Sequence, residues 1–170
     1  MPGINLTLGD ITQARVDAIV NAANKEMLGG GGVDGAIHRA AGPDLLAACK
    51  EVPATGGIRC PAGQARITRA GKLQARYVIH TVGPMYDIDP KPEQLLASAY
   101  HNTLQLALDH HCQSLAVPAI SCGVYGYPAR EAAQIALGIS AGKKYRDLDI
   151  KFYLFSQIMF EVWQEVLQDT

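Results

Sequence analysis

The sequence predicts a three-layer α/β domain with a largely parallel central sheet, on three observations. Apolar stretches typical of strands alternate with stretches of helical periodicity over most of the chain. Glycine- or proline-containing loops separate them, and two glycine-containing loops each follow a strand and precede a helix. The 170 residues, 48% of them apolar and 18% charged, are enough for one domain, 1–170, with a sizeable core. Crossovers between the parallel strands are expected to be right-handed.

Six stretches have the composition of strands. The first alternates apolar and polar residues near the start of the sequence, so we expect it at an edge of the sheet. The second is almost entirely apolar and predicts a buried strand with Val16, Ile19 and Val20 inside. The predicted strands are Ile4 to Leu8, Val16 to Ala22, Gln64 to Thr68, Tyr77 to Val82, Ser114 to Ile120 and Asp149 to Phe155.

Five stretches predict helices. Pro43 suits the first turn of the second helix, because the N–H that proline lacks has no intrahelical partner there. The longest helix is indicated by apolar residues at helical spacing, Leu96 and Tyr100 among them. The predicted helices are one opened by Asp34, one from Pro43 to about Cys49, one from Glu93 to His110, one containing Ala132 to Ile139, and a closing helix containing Phe160 to Leu167.

Composition narrows the classes of function. A net charge of −1 argues against a broad electrostatic grip on nucleic acid. No basic segment followed by an apolar core opens the sequence, and no apolar run is long enough to cross a bilayer. Four cysteines, Cys49, Cys60, Cys112 and Cys122, form neither a CxxC motif nor a metal-binding pattern with histidines. We therefore expect reduced thiols and a cytoplasmic protein.

Four consecutive glycines, Gly29 to Gly32, stand between the second strand and the first helix. Glycine lacks a Cβ and tolerates positive φ, so backbone N–H groups there can approach a ligand closely. The N-terminus of the following helix adds unpaired N–H groups and partial positive charge, which together predict a phosphate site. The run is not a Walker A loop, because no Gly-Lys-Ser/Thr follows. It is not a nicotinamide-binding GxGxxG motif either, because an acidic ribose partner is missing.

Three polar residues accompany this loop. Asp34 is a candidate helix N-cap, and a capping carboxylate still leaves one oxygen to orient or deprotonate water. Asn21 and Asn24 end the preceding strand and offer both donors and acceptors. We predict that the stretch from Asn21 to His38 holds a phosphorylated sugar and carries chemistry beside it.

Two further positions allow a structural and a functional interpretation. Asp10 is either an ordinary turn residue or an acceptor for an amino group such as that of adenine, with the N–H of Ile11 available to a ring nitrogen. Phe155, at the end of the last predicted strand, is either a core residue or a face for a stacked base.

The segment Ser121 to Gly126 is a candidate second phosphate loop, with an ordinary turn as the alternative. Its backbone N–H groups and small side chains suit an anion, and the ring of Tyr125 suits a sugar. Cys122 is a weak candidate nucleophile because no histidine is well placed to activate it. His80 lies in an apolar strand and is expected to be a satisfied core histidine, whereas His38 could pair with Asp34 one helical turn away.

Four ordered motifs together resemble the macrodomain family. They are GDIT at 9–12, NAAN at 21–24, GGGGVDGAIHRAAGP at 29–43 and ISCGVYGYP at 120–128, and the resemblance covers nearly the whole chain. The subclass resembles the MacroD type, which includes bacterial O-acetyl-ADP-ribose deacetylases. The resemblance implies a three-layer α/β/α macrodomain with a mixed, largely parallel central sheet, and an ADP-ribose site.

The resemblance also implies a role for each site residue. Asp34 matches the family's catalytic aspartate, and Asn24 would hydrogen-bond the distal ribose, on which Tyr125 packs. Asp10, Ile11 and Phe155 would hold adenine. Asn21, which we count among the substrate-binding residues, matches an asparagine important to the structure of the site. The residues that would wrap the diphosphate are Gly31, Gly32, Val33, Asp34, Ser121, Cys122, Gly123, Val124 and Tyr125.

In similar enzymes water attacks an ester on the distal ribose, whose acyl group is either acetate or a protein carboxylate side chain. The base is either the aspartate or a phosphate of the ligand, and neither metal nor cofactor is expected. The implied partners are ADP-ribose or its esters and ADP-ribosylated proteins, with neither nucleic acid nor membrane. A binding module that reads ADP-ribose without chemistry is the alternative, against which the retained Asp34 and Asn24 count.

The chain departs from the family pattern at two places. Cys122 stands where the second loop usually carries threonine, so a hydroxyl is lost and an oxidisable thiol gained. Ser156 and Gln157 follow Phe155, where similar bacterial proteins often place an acidic residue. The second departure bears on the adenine end of the predicted site.

Overall fold

A computed structural model describes residues 2–170. They form a six-stranded sheet in the order β1-β6-β5-β2-β4-β3. The pairs β1–β6, β6–β5, β5–β2 and β2–β4 are parallel, and only β3 runs antiparallel to its neighbour. The expected mixed, largely parallel sheet and the edge position of the first strand are confirmed. The strands are β1 (Gly3–Leu8), β2 (Ala18–Ala22), β3 (Ala65–Arg69), β4 (Tyr77–Thr81), β5 (Ser114–Pro118) and β6 (Asp149–Leu154).

Five α-helices cover the two faces of the sheet. Two pack with one apolar cluster on one face, and three pack with a larger cluster on the other, which completes the three layers. Within residues 2–170 no helix is both long enough and apolar enough to cross a bilayer. The helices are α1 (Gly32–Ala41) and α2 (Pro43–Lys50) on the first face, and α3 (Pro92–Asp109), α4 (Ala129–Ser140) and α5 (Gln157–Gln168) on the second.

The strand core alternates between these clusters as the pleat requires. Ala18 and Val20 of β2 contact the larger cluster, whereas Ile19 between them contacts the smaller one. All three are fully buried, so β2 is covered on both faces. This explains why its sequence is almost continuously apolar.

The connections place a crevice between β2 and β5. These strands pair only at Ala18↔Leu115 and Ile19↔Ala116, and then separate. From β2 the chain continues through α1 and α2 to β3 and β4 on one side, while from β5 it continues through α4 to β6 on the other. Such a switch in strand order opens a ligand crevice beyond the carboxyl ends of the strands.

Candidate active site

A cleft of about 680 Å³ occupies this crevice. The loop after β2, the loop after β5 and the ends of β1 and β6 line it, so both glycine-containing loops lie on the same rim of the sheet. All but two of the predicted site residues line it. They are Asp10, Ile11, Asn24, Gly31, Gly32, Val33, Asp34, Ser121, Gly123, Val124, Tyr125 and Phe155.

The first helix begins earlier than predicted and is not capped by Asp34. Its N-cap is Gly31, in an extended conformation, and Asp34 is the third helical residue. The expectation of an aspartate cap is therefore wrong, because the helix begins two residues before Asp34 and this carboxylate belongs to its first turn. Within residues 2–170 the N–H groups of Gly32, Val33 and Asp34 find no acceptor, and they begin α1 at the rim of the cleft.

The Asp34 carboxylate lies at the floor of the cleft and is only 5% exposed as a residue. Its Oδ1 accepts a 2.8 Å hydrogen bond from Asn21 Nδ2 and lies 3.5 Å from His38 Nε2. Burial raises the pKa of Asp34 above its usual value, while the Asn21 hydrogen bond and the His38 ring oppose that shift. A raised pKa suits a carboxylate that exchanges a proton with water.

The second Asp34 oxygen approaches the glycine loop. A methyl group built on Gly30 would meet Asp34 Oδ2 at 3.0 Å and Asn24 Nδ2 at 3.2 Å, so the two side chains converge there. Asn24 also organises its own loop, because its Oδ1 accepts from Met27 N–H at 3.1 Å and its Nδ2 donates to Gly29 O at 3.0 Å. One Asn24 N–H remains for a ligand.

Asn21 lies beneath the cleft and does not line it. The residue is fully buried, and its Nδ2 is within hydrogen-bond distance of both Asp34 Oδ1 and the ring of His80. The assignment of Asn21 as a ligand contact is therefore corrected, because its side chain points from β2 under α1. His80 is the expected core histidine, and burial lowers its pKa to about 3.

The loop after β5 offers backbone groups rather than side chains. Ser121 has a left-handed φ of 68°, and its Oγ donates to Pro84 O at 2.8 Å. The hydroxyl proton is thus committed to the protein, contrary to the expectation that small side chains of this loop serve an anion. The N–H groups of Gly123, Val124 and Tyr125 have no acceptor within residues 2–170.

Cys122 is the second predicted site residue that does not line the cleft. Its side chain packs against the larger apolar cluster instead of lining the cleft, and its N–H donates to Ala119 O at 3.3 Å. Burial raises the pKa of the thiol to about 12, so it is protonated near neutrality. Cys122 is placed neither to hold a ligand nor to act as a nucleophile. The loop turns this side chain away while Ser121 and Gly123 face the cleft.

The far end of the cleft contains Asp10 and Phe155. Asp10 Oδ1 accepts from Thr12 N–H at 2.9 Å and from Thr12 Oγ1 at 2.7 Å, which leaves Oδ2 without a partner among the described residues. Phe155 is 67% exposed and follows the last strand, so it is a wall of the cleft rather than a core residue. Ser156 caps α5, since its Oγ accepts from Met159 N–H at 3.1 Å.

Ten residues that line the cleft were not named individually as site residues from the sequence. Gly83 packs so closely against the loop after β5 that a Cβ there would overlap Ser121 Oγ. The only indication of this position in the sequence was the Gly-Pro pair that follows β4. Tyr153 alternates with core residues along β6, and its residue type did not indicate that it lines the cleft. The lining residues that were not named individually as site residues are Gly9, Ala22, Ala23, Gly30, Ala36, Gly83, Pro118, Ala119, Ile120 and Tyr153.

Fold and site together define an α/β domain whose cleft offers two backbone-rich loops and one buried carboxylate. Comparison with known proteins places it more closely. The family model for the macro domain matches residues 20–136. A macro domain-containing protein of Vibrio parahaemolyticus is 62% identical over 167 residues, which are 98% of either chain. The chain belongs to the macro domain family.

Two further relatives carry information about ligand and activity. A Klebsiella pneumoniae protein named O-acetyl-ADP-ribose deacetylase is 63% identical over 131 residues, which are 76% of this chain and 74% of that one. A solved structure of the Oceanobacillus iheyensis macrodomain with ADP is 45% identical, with a TM-score of 0.91 over 96% of this chain and 89% of that one. One relative is thus named for an ester hydrolase activity, and a protein with the same fold was solved with ADP.

Proposed function

We propose that this protein binds ADP-ribose and hydrolyses esters of its distal ribose. The substrates are O-acetyl-ADP-ribose, mono-ADP-ribosylated acidic side chains, or both, and Asp34 assists the attacking water. One observation carries the proposal: the buried Asp34 carboxylate lies at the floor of a cleft bounded by two loops with free backbone N–H groups. Relatives named O-acetyl-ADP-ribose deacetylase and the macrodomain solved with ADP support it.

The proposed ligand position follows from the chemistry along the cleft. The diphosphate lies between the N-terminus of α1 and the loop from Gly123 to Tyr125, where free N–H groups meet it from both sides. No lysine or arginine lines the cleft among the described residues, so backbone dipoles carry this recognition. The adenine stacks near Phe155, and its amino group donates to Asp10 Oδ2.

The distal ribose then lies beside Asn24, Asp34 and the ring of Tyr125. A water held by Asp34 attacks the acyl carbon of the ester and gives its proton to the carboxylate. As the bond from the acyl carbon to the ribose oxygen breaks, the ribose oxygen takes up that proton. The products are ADP-ribose and acetate, or ADP-ribose and the free protein carboxylate. A phosphate of the ligand is the alternative acceptor for the water proton.

The test is turnover of two substrates, O-acetyl-ADP-ribose and a protein ADP-ribosylated on glutamate, by wild type and Asp34→Ala. Removal of a general base costs roughly 10²-fold or more, so the variant should lose at least that much with either substrate. Calorimetric binding of ADP-ribose to both proteins is the control for an intact cleft. Unchanged turnover in Asp34→Ala, with binding retained, would contradict Asp34 as the base and would leave the ligand phosphate as the alternative base.

A reader module without chemistry is the second candidate, because free N–H groups and a stacking wall explain binding alone. The reader function predicts tight ADP-ribose binding and no release of acetate or of modified protein by wild type. Binding measurements cannot separate the two functions, whereas the turnover assay does. The convergence of Asp34 Oδ2 and Asn24 Nδ2 beside Gly30 favours the hydrolase, since binding does not require a buried carboxylate.

A further inference from the structure

A line of buried polar side chains runs from Asp34 away from the cleft across the neighbouring strands. Asn21 on β2 and His80 on β4 are paired in register and fully buried, and Thr68 on β3 is 8% exposed. We propose that His80, with its tautomer fixed by Thr68, is a positioning residue that orients the Asn21 amide and through it the Asp34 carboxylate. The inference deepens the proposed function and rests on it.

The first link identifies which end of the Asn21 amide faces Asp34. Asn21 Nδ2 lies 2.8 Å from Asp34 Oδ1, and an ionised carboxylate only accepts hydrogen bonds, so the nitrogen must be the atom that faces it. The same nitrogen lies 3.1 Å from His80 Nδ1. Because an amide nitrogen only donates, His80 Nδ1 must carry a lone pair and no proton.

The second link places the ring proton on the other nitrogen. His80 Nε2 lies 3.0 Å from Thr68 Oγ1, and that hydroxyl donates its own proton to Arg69 O at 3.0 Å. The Thr68 oxygen is therefore an acceptor toward the ring, and Nε2 carries the proton. The Sγ atom of Cys49 lies 3.7 Å from the same nitrogen. A neutral ring protonated at Nε2 satisfies all of these contacts.

The third link explains why the amide needs this support. Asn21 Oδ1 is buried without a hydrogen-bond partner among the described residues, so nothing on the oxygen side holds the amide in place. Only the two contacts of Nδ2 do so. With the opposite tautomer, His80 would direct an N–H at the amide, which would rotate to present its oxygen. Asp34 would then lose its N–H donor and face an oxygen instead.

The experiment compares His80→Asn with His80→Leu in the full chain. Both replacements branch at Cγ and are shorter than histidine, but only asparagine places an oxygen near the position of Nδ1, where it can accept from Asn21. We expect His80→Leu to lose about ten- to hundredfold in kcat with KM nearly unchanged, because Asn21 loses the contact that orients its hydrogen bond to the charged Asp34 carboxylate. His80→Asn should restore most of that loss.

A pH profile gives a second readout that a packing defect would not change. A weaker hydrogen bond from Asn21 to Asp34 should move the acidic limb of kcat to higher pH in His80→Leu but not in His80→Asn. The other titratable groups near Asp34 are His38 on α1, and Cys49 and Tyr125, whose pKa values the Asp34 charge raises, and all three are common to both variants. Equal kcat and equal profiles in the two variants would overturn the inference.

The tautomer itself is tested in wild type by ¹⁵N NMR of the histidine side chains, independently of activity and of any variant that fails to fold. We expect His80 to be neutral and protonated at Nε2 at pH 5 to 8. A ring protonated at Nδ1 would overturn the inference even if the protein is a hydrolase. Absence of turnover in wild type, with the expected tautomer, would instead refute the proposed function.

Discussion

Two glycines inside helices offer a matched pair of substitutions. Gly35 in α1 and Gly138 in α4 would each gain up to about 1 kcal/mol of helix propensity as alanine. A Cβ on Gly138 meets nothing within 4 Å, whereas a Cβ on Gly35 would lie 2.6 Å from the backbone oxygen of Gly30. Gly138→Ala should therefore raise Tm by roughly 2–4 °C, the change that 1 kcal/mol produces in a domain of this size.

Gly35→Ala should do the opposite. Overpacking costs about 1–3 kcal/mol. A cost of about 2 kcal/mol, less the helix gain of about 1 kcal/mol, is a net loss of about 1 kcal/mol, so we expect Tm to fall by roughly 2–4 °C. Because the displaced atom belongs to the glycine loop, ADP-ribose affinity should also fall at least about tenfold, while Gly138→Ala keeps wild-type affinity. Thermal unfolding by circular dichroism and calorimetric titration measure both effects. Equal stabilisation by the two alanines would refute the close packing of α1 on its loop.

Four more outcomes are expected. Ser156→Ala should lower the free energy of unfolding by about 1 kcal/mol in denaturant titration, because the side-chain cap of α5 is lost. An unchanged free energy of unfolding in this variant would contradict the capping role. Cys122→Ala should keep ADP-ribose affinity within twofold, and wild-type Cys122 should resist alkylation at pH 8, because its pKa of about 12 leaves roughly 10⁻⁴ of it as thiolate. Activity should rise with pH through an acidic limb above the ordinary carboxyl value of 3.8, because burial raises the pKa of Asp34; a kcat profile with its midpoint at or below 3.8 would count against Asp34 as the base. His80 is protonated below about pH 6.5 in the unfolded chain but only near pH 3 in the folded one. The free energy of unfolding should therefore fall as pH drops through that interval, by at most about 1.4 kcal/mol per pH unit. In urea titrations at several pH values, His80→Asn should lack this part of the pH dependence.

The sequence carried the architecture well because the signals are local. Alternation of strand and helix patterns predicted the layers, and the sequence placed each glycine-containing loop between a strand and a helix, which is where the structure has it. Element ends were less accurate. The fifth strand was predicted to end at Ile120 but ends at Pro118, because the chain leaves the sheet there to line the cleft. Helix α1 begins at Gly32, before Asp34. Residue type alone does not mark where pairing stops.

The orientation of individual side chains was harder to predict. Asn21 and Asn24 are three residues apart in one motif, yet Asn21 points beneath the cleft and Asn24 into it. Cys122 and Gly123 are adjacent and face opposite ways. Tyr153 and Gly83 reach the cleft through strand register and close packing, which only tertiary structure fixes. Motif spacing thus predicted most of the residues that line the cleft, but not which atoms of these residues face it.

A comparison of wild type with Asp34→Asn tests most directly whether a single buried carboxylate drives hydrolysis here. The replacement keeps the shape of the side chain but removes its charge and turns one acceptor oxygen into a donor nitrogen, and ADP-ribose should bind within a few-fold of wild type. Release of acetate from O-acetyl-ADP-ribose should slow by roughly 10²-fold or more. Acetate released at the wild-type rate by a variant that binds normally would contradict the account.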